Sequence, residues 1–302
     1  MLVRPDRAFP GTFFFFRGSA LQHIWPYLLV IFIASVLTTV FHDEWNLARF
    51  SLTTTPFSLI GLALSIFLGF RNNACYDRWW EARKLWGALI NTTRTLGRQV
   101  HTLAEEGQGF DRWEAVKKVV VYVYALKAHL RKEDVLASLA GMLTLEEREQ
   151  LAGRANIPVA LLEDLGERFQ AGWRAGQIDT MHLPVFEKSL TDLTNIQGGC
   201  ERIKNTPVPL SYTILTHRIV AIYCLALPLG IMDVVGPMTP VVDLFIAYAF
   251  LGLDSVGTQL EDPFELDPND LPLNALARII EIDLLQGIGE GRPRRSRPWR
   301  AC

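Results

Sequence analysis

The sequence lacks the signatures of most soluble functional classes. It has no basic excess, since 30 lysines and arginines face 32 aspartates and glutamates for a net charge of −2, which argues against a chain built mainly to bind nucleic acid. Its four cysteines have no paired spacing, so neither a disulfide scaffold nor a zinc knuckle is predicted. No HExxH pair, GxSxG elbow or Walker loop occurs. We therefore expect no enzyme, no cofactor and no metal site.

Charge is also missing from two long stretches in the segment 1–71. No charged residue lies between Gly18 and His42, and none lies between Phe50 and Phe70. About 20 apolar residues cross the hydrocarbon core of a membrane as a helix, and Trp25 and Tyr27 suit the headgroup level. These runs predict membrane spans at about residues 21–41 and 55–71.

A second pair of apolar runs fills the segment 207–254, at about residues 207–232 and 234–253. Ionisable side chains interrupt them, and such groups are costly at membrane depth unless they meet a partner or water. Arg218 therefore needs an acidic neighbour, for which Asp243 and Asp254 are the candidates. Alternatively, Arg218 lies at the interface and extends its side chain toward water.

The positive charges predict the topology. Lysines and arginines precede the first span, follow the second and precede the third, whereas the linkers after the first and third spans carry almost none. Because cytoplasmic loops carry the positive excess, we expect a multi-pass inner-membrane protein with both termini inside. Residues 72–206 would form a cytoplasmic helical region, and residues 255–302 a cytoplasmic C-terminal segment with a basic tail that could attract anionic lipid.

The polar region 72–206 has helical patterning throughout. Apolar residues recur at helical spacing between Trp113 and Lys132, and Thr144 followed by Glu147 resembles a capping box. We find no alternating strand pattern and no internal repeat. The predicted fold class is all-α, with four membrane spans and a helical cytoplasmic region.

Two rows of side chains follow the second span at four-residue spacing. A stripe of small residues, which allows helices in a membrane to approach closely, consists of Gly61, Ser65 and Gly69. One residue further round lies an apolar row, Leu62, Ile66 and Phe70. In a closed cyclic oligomer each residue of such a row becomes a ring, and rings about 6 Å apart along the helix would form a narrow neck that stops ions by dewetting.

A polar collar is then expected where the neck meets the cytoplasm, formed by Arg71, Asn72 and Asn73. From spacing alone, the alternative is that the apolar row faces lipid or packs against other helices.

Three motifs resemble the bacterial homologues of the bestrophin family. They are PFSLIGLALSIFLGFRNNACYDRWWEARKLWG (56–87), GGCERIKNTPVPLSY (198–212) and LEDPFELDPNDLPL (260–273). The resemblance covers nearly the whole chain, through about residue 285. It implies a homopentameric ion channel with one axial pore, a membrane neck, a cytoplasmic vestibule and a second constriction. The implied partners are other copies of the chain, membrane lipid and permeant ions.

Carried over by motif, the neck of the family falls on Leu62, Ile66 and Phe70. The cytoplasmic constriction falls on Met181, or on Thr180 if the alignment slips by one residue. The animal branch clasps calcium with a dense acidic run after its fourth span, and here Leu266, Pro268 and Asn269 break that run. Calcium activation is therefore not expected.

The resemblance to the bacterial branch implies a channel that prefers monovalent cations such as sodium. Chloride, the type of ion passed by the animal branch, is the alternative. Because the rings are apolar, selectivity must come from charge at the mouths, where Asp43 and Glu44 outside and Asp179 inside are the candidates. An alternative of another class is a non-conducting membrane scaffold that recruits a cytoplasmic partner.

Overall fold

The computed structural model describes residues 20–41 and 53–289, and every regular element in these residues is a helix. In chain order the helices are α1 (Leu21–Val40), α2 (Thr54–Leu103), α3 (Arg112–Leu130), α4 (Val135–Ser138), α5 (Leu145–Ala152), α6 (Ile157–Arg174), α7 (Leu183–Asn205), α8 (Leu210–Val235), α9 (Thr239–Glu261) and α10 (Leu273–Gly287). In the described part of the chain, β-type pairing is limited to isolated bridges. The all-α prediction is confirmed.

The chain divides into two compact units. Among the described residues, one unit, called the span unit below, comprises those up to Trp79 together with Pro207–Asp270, and the other, called the middle unit, comprises Trp80–Thr206 and those from Leu271 onward. The span unit thus contains α1, the first part of α2, α8 and α9. The middle unit contains the rest of α2, α3 to α7, and α10.

Within the described ranges, three helical stretches are long and apolar enough to cross a membrane: Leu21–Val40, part of Thr54–Leu103, and Leu210–Glu261. The third is interrupted by a single 3-10 turn, Gly236–Met238, which separates α8 from α9. Gly236 has a φ of +63°, in the left-handed region that glycine enters without steric cost. The following Pro237 lacks the N–H that would continue α8.

The core of the span unit draws one face from each of its four helices. Leu28, Leu64, Val220 and Ala247 all belong to one buried apolar cluster. Glycines bring two of these helices close together, since a Cβ on Gly230 would lie 2.1 Å from the Phe57 ring. Burying this apolar surface holds the unit together.

The middle unit is built around α3, which packs against α6, α7 and α10. The row predicted at helical spacing is confirmed as core, because Val116, Val119, Val120, Val123 and Leu126 are all buried. Beside it, the Phe169 and Phe186 rings stack with centroids 4.5 Å apart.

The predicted capping box at the start of α5 is confirmed. The Thr144 hydroxyl accepts a hydrogen bond from the Glu147 N–H, and the Glu147 carboxylate accepts one from the Thr144 N–H at 2.8 Å. Glu147 also pairs with the buried Lys118 Nζ at 2.6 Å, and Lys118 lies 3.2 Å from Asp164. Burial alone would raise the pKa of Glu147, but the bonds from Lys118 and Thr144 lower it to about 2.

Candidate functional site

The first part of α2 has one face packed inside the span unit. Its buried side chains recur every three or four residues, as the helical repeat requires, and they are Phe57, Gly61, Leu64, Leu68, Arg71 and Cys75. A Cβ at Gly61 would lie 2.6 Å from the Tyr223 hydroxyl, so a larger residue there would force the Tyr223 side chain to move. This face fixes the orientation of α2 within the span unit.

The row Leu62, Ile66 and Phe70 lies on the opposite side of the same helix. At about 100° per residue, Ile66 points about 200° away from Leu64. The exposed fractions of the three side chains are 61%, 51% and 67%. Such a row is free to face lipid, another subunit or a pore.

The small-residue stripe is divided between two environments. Gly61 packs against Tyr223, whereas Ser65 and Gly69 are exposed. A Cβ on Gly69 would meet nothing within 4 Å, and the Ser65 hydroxyl donates to the Gly61 carbonyl at 2.8 Å. Within the span unit only the first of the three positions supports a close approach of helices.

The prediction that Arg71 belongs to a polar collar is wrong. Its side chain is 1% exposed, and its Nη1 donates to Asp254 Oδ1 on α9 at 2.7 Å. Assembly into an oligomer can only reduce exposure, so Arg71 lines no pore. The reason is helical geometry, because Arg71 falls seven residues after Leu64, two turns along the buried face.

This pairing engages Asp254, one of the two predicted partners of Arg218. Asp254 Oδ2 contacts the ring of His217, the residue before Arg218, while its other oxygen is held by Arg71. Arg218 itself is exposed, whereas Asp243, the other predicted partner, is buried. The sequence analysis did not predict the Arg71–Asp254 pair. An arginine and an aspartate at the ends of two apolar runs could have indicated it, because ionisable groups near a membrane need partners.

Met181 lies in the turn between α6 and α7 of the middle unit, with 79% of its surface exposed. The Asp179 carboxylate accepts a hydrogen bond from the Met181 N–H at 2.7 Å, and the Thr180 hydroxyl accepts one from the Trp173 indole at 3.1 Å. Both residues are exposed, but the Thr180 hydroxyl is engaged by Trp173, whereas the Met181 side chain points outward. Asp179 is exposed beside it.

The acidic run after α9 forms a loop that is held by a hydrogen bond between its own residues. Asp270 is buried and its carboxylate accepts the Asp267 N–H at 2.7 Å, while burial raises the pKa of Asp270 to about 7. The Trp79 indole donates to the Asn269 carbonyl at 3.2 Å. Among the described residues, no group of three histidine, cysteine or acidic side chains could hold a metal ion.

Two of the predicted mouth charges, Asp43 and Glu44, lie outside the described residues, as does the basic tail. Of the predicted charges, Asp179 alone can be located. Each unit thus contributes its own feature: the span unit has an exposed apolar row on α2 with the buried Arg71–Asp254 ion pair on the opposite face of the helix, and the middle unit has an exposed Met181.

Comparison with known proteins agrees with this picture. A family model described as bacterial/fungal bestrophin protein matches residues 1–286. A voltage-dependent anion channel-forming protein of Ralstonia nicotianae is 40% identical over 291 residues, covering 96% of this chain and 95% of that protein. A protein of the same description from Salmonella typhi is 35% identical over 286 residues, covering 95% of this chain and 93% of its own.

Solved structures agree as well. The crystal structure of a bacterial bestrophin homologue from Klebsiella pneumoniae has a TM-score of 0.85 and 35% sequence identity, and covers 89% of this chain and 99% of that chain. The helices are long and apolar enough to span a membrane, and these relatives place the chain in the class of helical membrane ion channels. The chain belongs to the bestrophin family, in its bacterial and fungal branch. Its relatives are channels rather than enzymes, consistent with the absence of an enzymatic motif from the sequence.

Proposed function

We propose that the protein is a homopentameric ion channel whose membrane neck is lined by Leu62, Ile66 and Phe70. The observation that carries the proposal is the exposure of these three apolar side chains opposite the buried face of α2. Five copies around one axis turn the row into three apolar rings. A ring of this kind blocks ions when water leaves it (dewetting), and it conducts ions when it widens. The number five rests on the family resemblance.

The proposed topology has four spans: α1, the first part of α2, α8, and most of α9. The turn at Gly236–Met238 supports the division of the last apolar stretch into two spans. The lysines and arginines that follow the second span and precede the third support a cytoplasmic location for residues 72–206. Both termini then lie on the cytoplasmic side of the inner membrane.

The cytoplasmic constriction is proposed at Met181. Its exposure in the turn between α6 and α7 supports this assignment over Thr180, whose hydroxyl is engaged by Trp173. A flexible apolar side chain is suited to forming an adjustable ring.

For the permeant ion we propose anions, because the relatives from Ralstonia and Salmonella are described as anion channel-forming proteins. A second candidate, monovalent cations, is favoured by the exposed Asp179 two residues from Met181, since a ring of carboxylates attracts cations. Exchange of Asp179 for asparagine separates the two: it lowers cation preference if cations permeate and leaves an anion channel conducting.

The test is planar-bilayer recording of the purified protein under a KCl gradient. A reversal potential near the chloride equilibrium value supports anions, and one near the potassium value supports cations. Exchange of Leu62, Ile66 and Phe70 for alanine should raise the unitary conductance about threefold or more, because the neck widens. The matched control is Ile60→Ala with Phe67→Ala, two exposed apolar residues of the same helix segment that lie about 100° round the helix from the row.

An unchanged unitary conductance in the triple variant contradicts the neck assignment. Vesicles that show no ion flux under any condition contradict the channel itself and favour a non-conducting scaffold.

A further inference from the structure

Arg71, the residue immediately after the proposed neck row, is held by ion pairs and hydrogen bonds. The Arg71 Nη1 lies 2.7 Å from Asp254 Oδ1 and 3.2 Å from the Asp254 carbonyl oxygen. Its Nη2 donates to the Thr258 hydroxyl at 3.0 Å and lies 3.6 Å from Glu261 Oε2. Side chains from about two turns of α9 therefore surround a single guanidinium of α2.

Neighbouring contacts make this junction specific. The Asn72 side-chain amide donates to the Leu253 carbonyl at 3.0 Å. A Cβ on Gly257 would lie 2.3 Å from Asn72 Oδ1, so a larger residue there would force the Asn72 side chain to move. His217 of α8 contacts the second carboxylate oxygen of Asp254. Three helices of the span unit thus meet at the level of Arg71, and we call these contacts the anchor.

The anchor is costly to break. The guanidinium of Arg71 has no exposed surface, and the Asp254 side chain is 8% exposed. A buried charge that loses its partner keeps its desolvation penalty without compensation. Separation of α2 from α9 at this level is therefore strongly disfavoured unless water or another partner replaces the contacts.

We propose that Arg71 and Asp254 are positioning residues that hold the proposed neck in its narrow arrangement. Because α2 is continuous through Phe70 and Arg71, rotation of Phe70 about the helix axis must also turn Arg71. Arg71 follows such a rotation only if α9 moves with it or if the ion pair breaks. Opening of the neck is thereby coupled to α9. This inference rests on the neck assignment proposed above.

The test compares open probability in bilayer recordings of the full-length channel. Arg71→Met removes the charge at similar length, and Asp254→Asn removes the opposite charge at similar shape. Each is expected to raise open probability about tenfold or more, since a buried pair is broken, while unitary conductance and reversal potential stay those of the wild type. The double variant should change open probability by less than the product of the two single effects, because the residues act as one pair.

Two further variants complete the design. Arg71→Lys keeps the charge but loses the planar fork of N–H donors that lets the guanidinium bind several acceptors at once. The open probability of this variant should therefore fall between those of the wild type and Arg71→Met. Arg218→Met is the matched control, because Arg218 is an exposed arginine of α8, and it should leave open probability unchanged.

Wild-type open probability in both Arg71→Met and Asp254→Asn overturns the inference, and so do independent, multiplicative effects of the two. If those variants do not assemble, Thr258→Val and Arg71→Lys decide the matter, and wild-type gating in both overturns it. If the wild type conducts and the neck triple variant gains conductance while the anchor variants gate normally, this inference alone fails. If the wild type passes no ions, the proposed function fails with it.

Discussion

The ion pair at the start of α5 makes a quantitative prediction about the middle unit. The pKa of Glu147 is about 2 instead of the ordinary 4.5, and each tenfold change in a protonation equilibrium corresponds to about 1.4 kcal/mol. The contacts of the Glu147 carboxylate thus stabilise the folded state by about 3 kcal/mol at neutral pH. Because the folded pKa is lowered, this contribution is complete above about pH 4.5 and disappears as the pH falls through about 2.

Glu147→Gln should remove most of this contribution at pH 7. Glutamine retains the geometry of a capping box, so the variant isolates the loss of charge, which leaves the buried Lys118 with Asp164 as its remaining partner. We expect a loss of about 2–3 kcal/mol, equivalent to about a 30- to 150-fold faster amide hydrogen exchange in residues 144–152.

The measurement is hydrogen exchange of the full-length protein in detergent at a fixed pH of 7, followed by mass spectrometry. Glu146→Gln is the control, because Glu146 occupies the same first turn but is exposed. Exchange in the Glu147→Gln variant within about threefold of the wild type refutes the reasoning from the lowered pKa.

Three further substitutions probe packing and hydrogen bonding. Phe169→Ala should destabilise the middle unit by about 3–5 kcal/mol, because it deletes a fully buried ring stacked on Phe186; the midpoint of thermal unfolding measures this. Tyr124→Phe should cost about 1 kcal/mol in the same assay, because the Tyr124 hydroxyl donates to Glu281 at 2.7 Å. Gly257→Val should lower the thermal midpoint of the detergent-solubilised protein, because its side chain would overlap Asn72; a wild-type midpoint contradicts that close approach.

Local patterns in the sequence predicted most of the helices. The charge-free run at 21–41 corresponds to α1, and the apolar residues between Trp113 and Lys132 form the buried face of α3. These predictions succeed because a helix buries residues at its own repeat, which the sequence displays directly. The capping box was equally readable, because its two residues are three positions apart.

The orientation of α2 needed tertiary contacts. Leu62 and Leu64 are the same residue type, yet one is exposed and the other is buried, so hydropathy cannot assign the two faces. Arg71 and Asp254 are 183 positions apart, and local spacing carries no information about such a pair. The outward position of Met181 is likewise set by the Asp179 carboxylate and the surrounding turn.

The three cysteines in the described part of the chain are already shielded from reagents that attack thiols. Cys75, Cys200 and Cys224 are buried, and burial raises the pKa of Cys200 to about 12, so its nucleophilic thiolate is scarce at neutral pH. Cys302 lies outside the described residues. Once it is replaced, the remaining native thiols should react little with a thiol reagent, so a single reporter cysteine can be introduced. A cysteine placed at position 62, 66 or 70 could then be followed with a thiol reagent during opening, without prior removal of the three buried thiols.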